Sequence, residues 1–358
     1  MPKRHRPGVS AASVLRHVEE VVIATSGEDA FEIVFAVAAA RIAVEAGLPL
    51  RRAIDEAVRR HPMLEVDPVS EASDALLMQV DELLARALPD EGTLDAVFES
   101  LVPRVSKSDK GQFFTPRHVV DFVVRMLAPS EHEVVVDPAC GSGAFLSHAR
   151  AAGAQAHGSD VDVRAVRVAR LLALAASADP RTVQRADGLR GAELPVADVV
   201  ATNPPFAGRA ASDGFEVAGF VRNPERDVLF LERALALLRP GGRLGIVLPY
   251  NKASGAAFAS LRRWLVERAR VLAIVGLPRE TFLPHTSQRT FVLFAQKRPH
   301  VERPVAPSPD ELTMFVISER AGKDTGGEPI LRSDGELDHD LDDVASTLRP
   351  FLEGEGFA

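Results

Sequence analysis

The sequence has 358 residues, of which 46% are hydrophobic and 26% are charged, as is ordinary for a soluble protein of one large or two modest domains. Its apolar runs stay shorter than the ~18 residues of a membrane-spanning helix, and no apolar signal core follows the basic start, so a cytoplasmic location without membrane attachment is expected. The single cysteine, Cys140, excludes an internal disulfide. Because no Cys/His group has metal-ligand spacing, we also expect no metal.

The net charge of −8 is unevenly distributed along the chain. From Val301 onward there are fourteen acidic residues against five basic ones, so residues 1–300 are close to neutral. A near-neutral body is compatible with a basic groove for nucleic acid. Charge alone therefore neither predicts nor excludes a nucleic-acid partner.

Apolar residues at helical spacing dominate the sequence as far as Val102. This spacing predicts helices around 14–22, 31–38, 50–60, 73–87 and 93–101. Ser26 or Asp29 is expected to cap the second of these helices. We predict a helical domain over residues 1–105, which is either a docking bundle or a structural extension.

Between residues 106 and 300 short apolar strands alternate with helices. A polar linker leads to a helix that Thr115 would cap, with Pro116 in its first turn. Strands are predicted at 134–136, 155–158, 183–185, 196–201, 243–248, 272–275 and 291–295, and helices at 144–152, 163–176, 227–238 and 254–268. Such alternation predicts an α/β fold with a Rossmann-like, doubly wound parallel sheet, which binds ligands at the carboxyl ends of its strands.

The final segment, residues 301–358, is predicted to form an acidic tail rich in glycine and proline. It contains one strand-like run at 312–317 and one helix-like run at 341–352. Two elements are too few for another independent domain.

The glycine-containing segment Asp137–Gly143 follows the first predicted strand and opens a helix. Gly141 and Gly143 allow a ligand to approach the backbone, and the helix start offers free N–H groups to a carboxylate. The third glycine of a dinucleotide fingerprint is replaced by Leu146. A pyrophosphate-binding loop is therefore disfavoured.

Two further acids, Asp160 and Asp187, follow the next two predicted strands. An acid at the position of Asp160 can hydrogen-bond both ribose hydroxyls, and one at the position of Asp187 can meet an adenine amino group. Alone, each would be an ordinary solvated residue at a strand end. Together with Asp137, they predict a nucleoside site.

Asn203, Pro204, Pro205 and Phe206 follow the strand predicted at 196–201. The two prolines prevent a helix, so backbone carbonyls and the Asn203 amide oxygen are left as fixed acceptors beside one aromatic ring. This set suits a planar exocyclic amine such as N6 of adenine. The alternative is a proline-rich turn that ends a core strand.

In their order along the chain, these motifs resemble those of N6-adenine DNA methyltransferases. The resemblance is carried by DPACGSGAFL, by GSD at Asp160, by AD at Asp187 and by NPPF. GQFFTPRHVVDFVVRML ahead of them is similar to the gamma class, and specifically to the modification (M) subunit of type I restriction–modification systems. ERDVLFLERALALLRPGGRLGIVLP, LPRETFLPHTSQRTFVLFAQK and ERAGKDTGG extend the resemblance over roughly residues 93 to 350.

The resemblance implies S-adenosyl-L-methionine as cofactor and a role for each motif. The methionine part of the cofactor would be covered by Gln112, Phe113, Phe114, Thr115, Pro116 and Arg117. The floor beneath it would be formed by Asp137, Pro138, Ala139, Cys140, Gly141, Ser142 and Gly143. Asp160 would bind the ribose, and Asp187 with Gly188 the adenine. The catalytic loop would consist of Asn203, Pro204, Pro205 and Phe206. The Asn203 amide oxygen and the Pro204 carbonyl would accept hydrogen bonds from N6, while Phe206 stacks on the extruded base.

The implied partners are double-stranded DNA and a separate specificity subunit, with a restriction subunit as a further candidate. In the gamma class a target-recognition domain follows the last strand, whereas here only the acidic tail follows, a lack that type I modification subunits share. Two alternatives stay open: a methyltransferase acting on RNA or on a protein glutamine, and a catalytically silent homologue that binds DNA or a partner.

Overall fold

The computed structural model describes residues 29–44, 46–87, 115–206, 208–299 and 306–357. These fall into two compact units, one within residues 1–108 and 162–183 and the other within 109–161 and 184–358. The helices predicted at 14–22 and 93–101, and the residues Gln112, Phe113 and Phe114, lie outside the described residues. The domain boundaries expected near residues 105 and 300 stay predictions.

The described helices and strands are numbered along the chain. The helices are α1 (Ala30–Ala43), α2 (Leu50–Arg60), α3 (Asp74–Ala87), α4 (Arg117–Leu127), α5 (Ala144–Ala151), α6 (Val163–Ala175), α7 (Arg226–Leu237), α8 (Asn251–Ser254), α9 (Ala259–Arg268) and α10 (Leu341–Gly354). The strands are β1 (Val134–Asp137), β2 (Gln155–Asp160), β3 (Val183–Arg185), β4 (Ala197–Thr202), β5 (Leu238–Pro249), β6 (Ala269–Gly276), β7 (Thr290–Lys297) and β8 (Met314–Ile317). None of these helices is long and apolar enough to span a bilayer.

The first unit combines α1, α2 and α3 with α6. The predicted cap of α1 is confirmed, because the Asp29 carboxylate accepts a hydrogen bond from the Phe31 N–H at 3.0 Å. Arg167 of α6, which is buried, donates to both Glu32 carboxylate oxygens at 2.8 and 2.7 Å. Its guanidinium also lies 4.4 Å from the centroid of the Phe35 ring. The buried charge of Arg167 is tolerated here because the partly buried Glu32 carboxylate pairs with it through two hydrogen bonds.

The eight described strands form one sheet in the order β3-β2-β1-β4-β5-β7-β6-β8, and all but the first residue of β3 belong to the second unit. β1 pairs in parallel with β2 and β4, and β4 with β5, so the predicted doubly wound α/β fold is confirmed. The prediction of a parallel sheet throughout is wrong, because β7 runs antiparallel to β5 and β6. The fully described connection from β6 to β7 contains a 3₁₀ turn, Arg279–Phe282, instead of a crossover helix. Without such a crossover the next strand returns in the opposite direction.

Packing on the faces of the sheet places the strands that carry the site. Leu231 of α7 and Trp264 of α9 are each 1% exposed in a shared core with β4 and β5. On α4, side-chain atoms of Leu127 and Val123 lie 2.8 and 2.9 Å from where a Cβ on Gly245 of β5 would be. A residue with a side chain would push α4 away from the sheet, so this glycine sets how closely α4 approaches.

The strand and helix predicted in the acidic tail are present as β8, which pairs in parallel with β6, and α10, which contacts α4. Asp340 accepts hydrogen bonds from the Ser318 hydroxyl at 2.6 Å and from the Glu319 N–H at 2.7 Å. Asp342 forms an ion pair with Arg125 of α4 at 2.6 Å. Part of the tail's acidity therefore connects its own elements to α4.

Candidate active site

The carboxyl ends of neighbouring strands bring the predicted site residues to one edge of the sheet. β1 ends at Asp137 and β2 at Asp160, and Asn203 directly follows β4. β3, which lies next to β2, ends two residues before Asp187. Because β1, β2 and β4 are parallel neighbours, motifs that are distant in sequence meet here.

The glycine loop that follows β1 is held by hydrogen bonds within itself and to β2. The Cys140 N–H donates to the Ser159 carbonyl at 3.0 Å, and the Gly143 N–H to the Cys140 carbonyl at 2.8 Å. The Gly141 N–H donates to the Asp160 carboxylate at 2.9 Å. Gly141 has φ +51°, and no described atom lies within 4 Å of where its Cβ would be. Backbone hydrogen bonds therefore hold the loop against β2, and a side chain on Gly141 would project into open space.

Gly188 brings the segment after β3 against the same loop. A Cβ at this position would lie 1.8 Å from the Pro138 carbonyl oxygen and 3.0 Å from the Ser159 hydroxyl. Only glycine permits so close an approach. The exposed Asp187 carboxylate is oriented by its own turn, since it accepts the Leu189 N–H at 3.0 Å.

Other members of the predicted cofactor set are mainly buried. Ser142 is 2% exposed and Cys140 6%. Burial raises the pKa of the Cys140 thiol, so it is protonated at neutral pH. Ala139 is partly buried. No group of His, Cys, Asp and Glu among the described residues is arranged to hold a metal ion.

Asp137 is the buried acid of the site. Its side chain is enclosed and accepts the Ala139 N–H at 3.0 Å. Burial raises the pKa of this carboxyl to about 7, and the neighbouring Asp160 carboxylate adds to the increase, while the hydrogen bond from the Ala139 N–H opposes it. Near neutral pH the carboxyl is thus divided between its acid and its ionised form.

The stability of the folded chain is expected to decrease as pH rises from about 4 to about 7, because of Asp137. In this range the folded carboxyl keeps its proton, whereas in the unfolded chain, with the ordinary pKa of 3.8, it has lost it. The folded state therefore binds more protons, and its free energy of unfolding falls until the pH exceeds the folded pKa. Asp137→Asn should be more stable than the wild type at about pH 8, by at least ~1 kcal/mol.

Thermal melts of both chains at about pH 5 and about pH 8 measure this difference. Burial also raises the pKa of Asp227, to about 6. Asp227 titrates in both chains, so its contribution to the pH dependence of stability cancels in the comparison. Equal pH dependence of the two chains would show that Asp137 is not the group responsible.

Asn203 has a fixed side chain after β4. Its Nδ2 donates to the Thr115 hydroxyl at 2.9 Å. Its Oδ1 is buried and has no hydrogen-bond partner among the described residues. Buried acceptors without a partner are costly and therefore uncommon. The arrangement leaves the amide oxygen able to accept a hydrogen bond from a ligand.

The prediction that Thr115 caps α4 is wrong. α4 begins at Arg117 with Pro116 at its N-cap position, and no described side chain caps it. Thr115 is buried and receives the hydrogen bond from Asn203 instead. The segment predicted to cover the cofactor therefore contacts the segment predicted to bind the target amine.

Pro204 and Pro205 lead to Phe206, which is 4% exposed. Its ring meets Phe282 edge-on, with 5.6 Å between the ring centroids and an interplanar angle of 82°. The Phe206 ring must therefore uncover one face before a base could stack on it. The sequence motifs do not single out Phe282, because it follows no strand and its contact joins distant parts of the chain.

A charged cluster around the buried Lys252 and Asp227 lies next to the chain just beyond this loop. The Lys252 ammonium, 2% exposed, lies 2.5 Å from Glu225 and 3.2 Å from Asp227. Burial raises the pKa of Asp227 to about 6, and Lys252 opposes that increase. The adjacent Arg226 N–H donates to the Gly208 carbonyl at 3.1 Å. Sequence reasoning missed this cluster, since its members share no local spacing.

The family of the chain follows from comparison with known proteins. The model of the N-6 DNA Methylase family matches residues 91–324. The methylase subunit of the type I restriction enzyme StySJI from Salmonella typhimurium is 30% identical over 230 residues, 55% of this chain and 43% of that protein. The EcoKI methylase subunit from Escherichia coli K12 is 30% identical over 220 residues, 54% of this chain and 41% of that protein. The chain thus spans less than half the length of these curated relatives.

A solved structure shows the same fold. The chain superposes on the methyltransferase subunit of a type I restriction–modification system from Streptococcus thermophilus with a TM-score of 0.61 and 18% identity, over 98% of this chain and 76% of that one. The family match covers more than half of the sequence and contains every segment of the candidate site. The resemblance inferred from the motifs is confirmed, and the chain belongs to the N-6 DNA Methylase family.

Proposed function

We propose that the chain transfers a methyl group from S-adenosylmethionine to the N6 amino group of adenine in double-stranded DNA. The observation that carries the proposal is the Asn203 amide, whose nitrogen is held by Thr115 while its oxygen stays available. An oxygen fixed in this way can accept one hydrogen of an exocyclic amine, and the Pro204 carbonyl can accept the other. A base with such an amine would enter beside Phe206.

The residues at the ends of β1 and β2 fit S-adenosylmethionine. The space beside Gly141 is open to a ligand that no side chain obstructs. We assign the adjacent Asp160 to the ribose hydroxyls and Asp187 with Gly188 to the adenine of the cofactor. When bound, the cofactor supplies an electrophilic methyl group on a sulfonium sulfur.

The chain's own contribution to the transfer is positioning and electrostatic stabilisation. N6 would accept the methyl group while the sulfur leaves with the bonding electron pair, and N6 would then release a proton to solvent. Positive charge develops on N6 during this step, so hydrogen bonds accepted by Asn203 and by the Pro204 carbonyl strengthen. Pro204 and Pro205 restrict the backbone and keep both acceptors in place.

We further infer that the chain is the modification subunit of a type I restriction–modification enzyme of the cytoplasm. The curated relatives, which are methylase subunits of type I restriction enzymes, support this assignment. A separate specificity subunit would then select the DNA sequence, and a restriction subunit would be the other partner.

The full chain, alone and with a co-expressed specificity subunit, should be incubated with methyl-tritiated cofactor and genomic DNA. N6-methyladenine is the expected product, and the partner should confine it to one sequence motif. Gly141→Leu serves as the inactive control, because its side chain fills the open space and should abolish cofactor binding measured by calorimetry. Transfer to RNA or to a protein glutamine in place of DNA would contradict the proposal, and undiminished binding by Gly141→Leu would remove the cofactor from this loop.

A further inference from the structure

Lys323 lies in the acidic tail, yet its ammonium contacts the segment that carries Phe282. It donates hydrogen bonds to the carbonyl oxygens of Thr281 and Leu283, at 3.2 and 2.8 Å. These residues flank Phe282, whose ring meets Phe206 of the catalytic loop edge-on. The ammonium therefore fixes the backbone on both sides of Phe282.

The tail makes a second contact with the same segment through Gly327. A Cβ on Gly327 would lie 2.8 Å from the Pro284 nitrogen and 2.9 Å from the Leu283 carbonyl carbon. Its φ of +91° is also a value that residues with side chains seldom adopt. The backbone of the tail thus packs directly on the backbone that follows Phe282.

Between these two contacts the tail forms a turn that is stabilised internally. The Asp324 carboxylate accepts the N–H groups of Gly326 and Glu328 at 2.8 and 2.9 Å. The Asp324 N–H donates to the Glu328 carbonyl at 2.9 Å. A turn that satisfies its own backbone in this way can hold Lys323 in one position.

Resting on the proposed function, we propose that Lys323 is a positioning residue for the aromatic pocket, holding Phe282 and through it Phe206 in place for the incoming base. Phe206 is nearly covered and its ring packs edge-on against Phe282, so a displacement of Phe282 also displaces Phe206. Interiors packed this closely transmit a displacement from one side chain to the next. A connection that restrains residues 281–284 therefore restrains both rings.

Hydrogen exchange of the full chain tests this connection without requiring activity. Lys323→Met removes both hydrogen bonds, and amide exchange over residues 279–286 and at Phe206 is expected to rise about tenfold. Lys323→Arg retains donors that can reach both carbonyls and should restore most of the protection. The matched control is Lys297→Met, which also removes a half-buried ammonium. Lys297 donates to the carbonyl of Leu238, the first residue of β5. It should leave exchange over 279–286 unchanged.

Methyl transfer to DNA supplies the second measurement. With cofactor affinity unchanged, Lys323→Met should lower kcat/KM for DNA about tenfold, and Lys323→Arg should recover it. If the wild-type chain methylates no adenine even with its partner, the proposed function fails, while the exchange result still decides the role of Lys323 in holding the two rings.

Unchanged exchange over 279–286 in Lys323→Met would overturn the inference. A uniform increase across the whole sheet would also overturn it, because that indicates general destabilisation. If Lys323→Met does not fold, Gly327→Ala replaces it, since the added methyl pushes on Leu283 and Pro284 without a change in charge. The same local increase in exchange supports the inference, and no increase contradicts it.

Discussion

Asn203→Ala is expected to bind S-adenosylmethionine within about twofold of the wild type and to transfer methyl groups about 10²–10³-fold more slowly. Alanine removes the buried Asn203 amide oxygen, which has no hydrogen-bond partner among the described residues. The loss should appear in kcat, because the hydrogen bond strengthens as charge develops on N6. Calorimetry with the cofactor and tritiated-methyl transfer to DNA, on the same preparation, measure the two effects separately.

Thr115→Val and Thr115→Ser form a matched pair for the same site. Valine keeps the shape of threonine but cannot accept the hydrogen bond from Asn203, so the amide can turn and kcat should fall about tenfold. Serine keeps the hydroxyl and should recover most of the rate. Wild-type transfer by Asn203→Ala would refute its catalytic role, and equal rates for the valine and serine variants would show that Thr115 does not orient the amide.

The strands β1 and β4 could be predicted because each is a short, largely apolar run followed by a turn-forming residue. The direction of β7 could not, because an apolar strand has the same composition in either direction. Direction depends on the connection, and the turn Arg279–Phe282 gives no sequence signal that distinguishes it from a helix start. β5 begins at Leu238 rather than near 243, because its first residue pairs with Ala197 across a register shift.

The positions of some candidate site residues could be predicted, although their roles stay predictions. Asp137 and Asp160 stand at strand ends and Gly141 lies in the loop after β1, as the pattern of the sequence indicates. Contacts between segments were not accessible in this way. Thr115 precedes Pro116, a position typical of a helix cap, but the close approach of α4 to the sheet places it against Asn203.

The same limit applies to Lys252, Asp227 and Lys323. Lys252 and Asp227 are both buried and meet at 3.2 Å, yet in the sequence each is one charged residue among many. Lys323 belongs to a motif that the resemblance included, but its hydrogen bonds to Thr281 and Leu283 follow from tertiary structure alone. These charged residues have a structural role because they are buried or make tertiary contacts, and both are properties of the fold.

Gly188→Ala is expected to weaken S-adenosylmethionine binding about a hundredfold. The added Cβ would lie 1.8 Å from the Pro138 carbonyl oxygen and 2.8 Å from the carbonyl carbon, so the backbone must move. Because interiors are close-packed, this displacement passes along the loop to Gly141, and from there to the hydrogen bond with Asp160. Calorimetry with the cofactor measures the affinity, and a thermal melt shows whether the variant is folded.

Gly191→Ala is the matched control, three residues further along the same segment. Its Cβ would lie 3.7 Å from the nearest atoms, the backbone nitrogen and oxygen of Asp187, which is an ordinary contact. It should bind the cofactor like the wild type. Wild-type affinity in a folded Gly188→Ala chain would exclude the segment after β3 from the cofactor site. An equal loss in Gly191→Ala would instead show that any added methyl group disturbs this turn, and the close approach of Gly188 to Pro138 would then have no special part in binding.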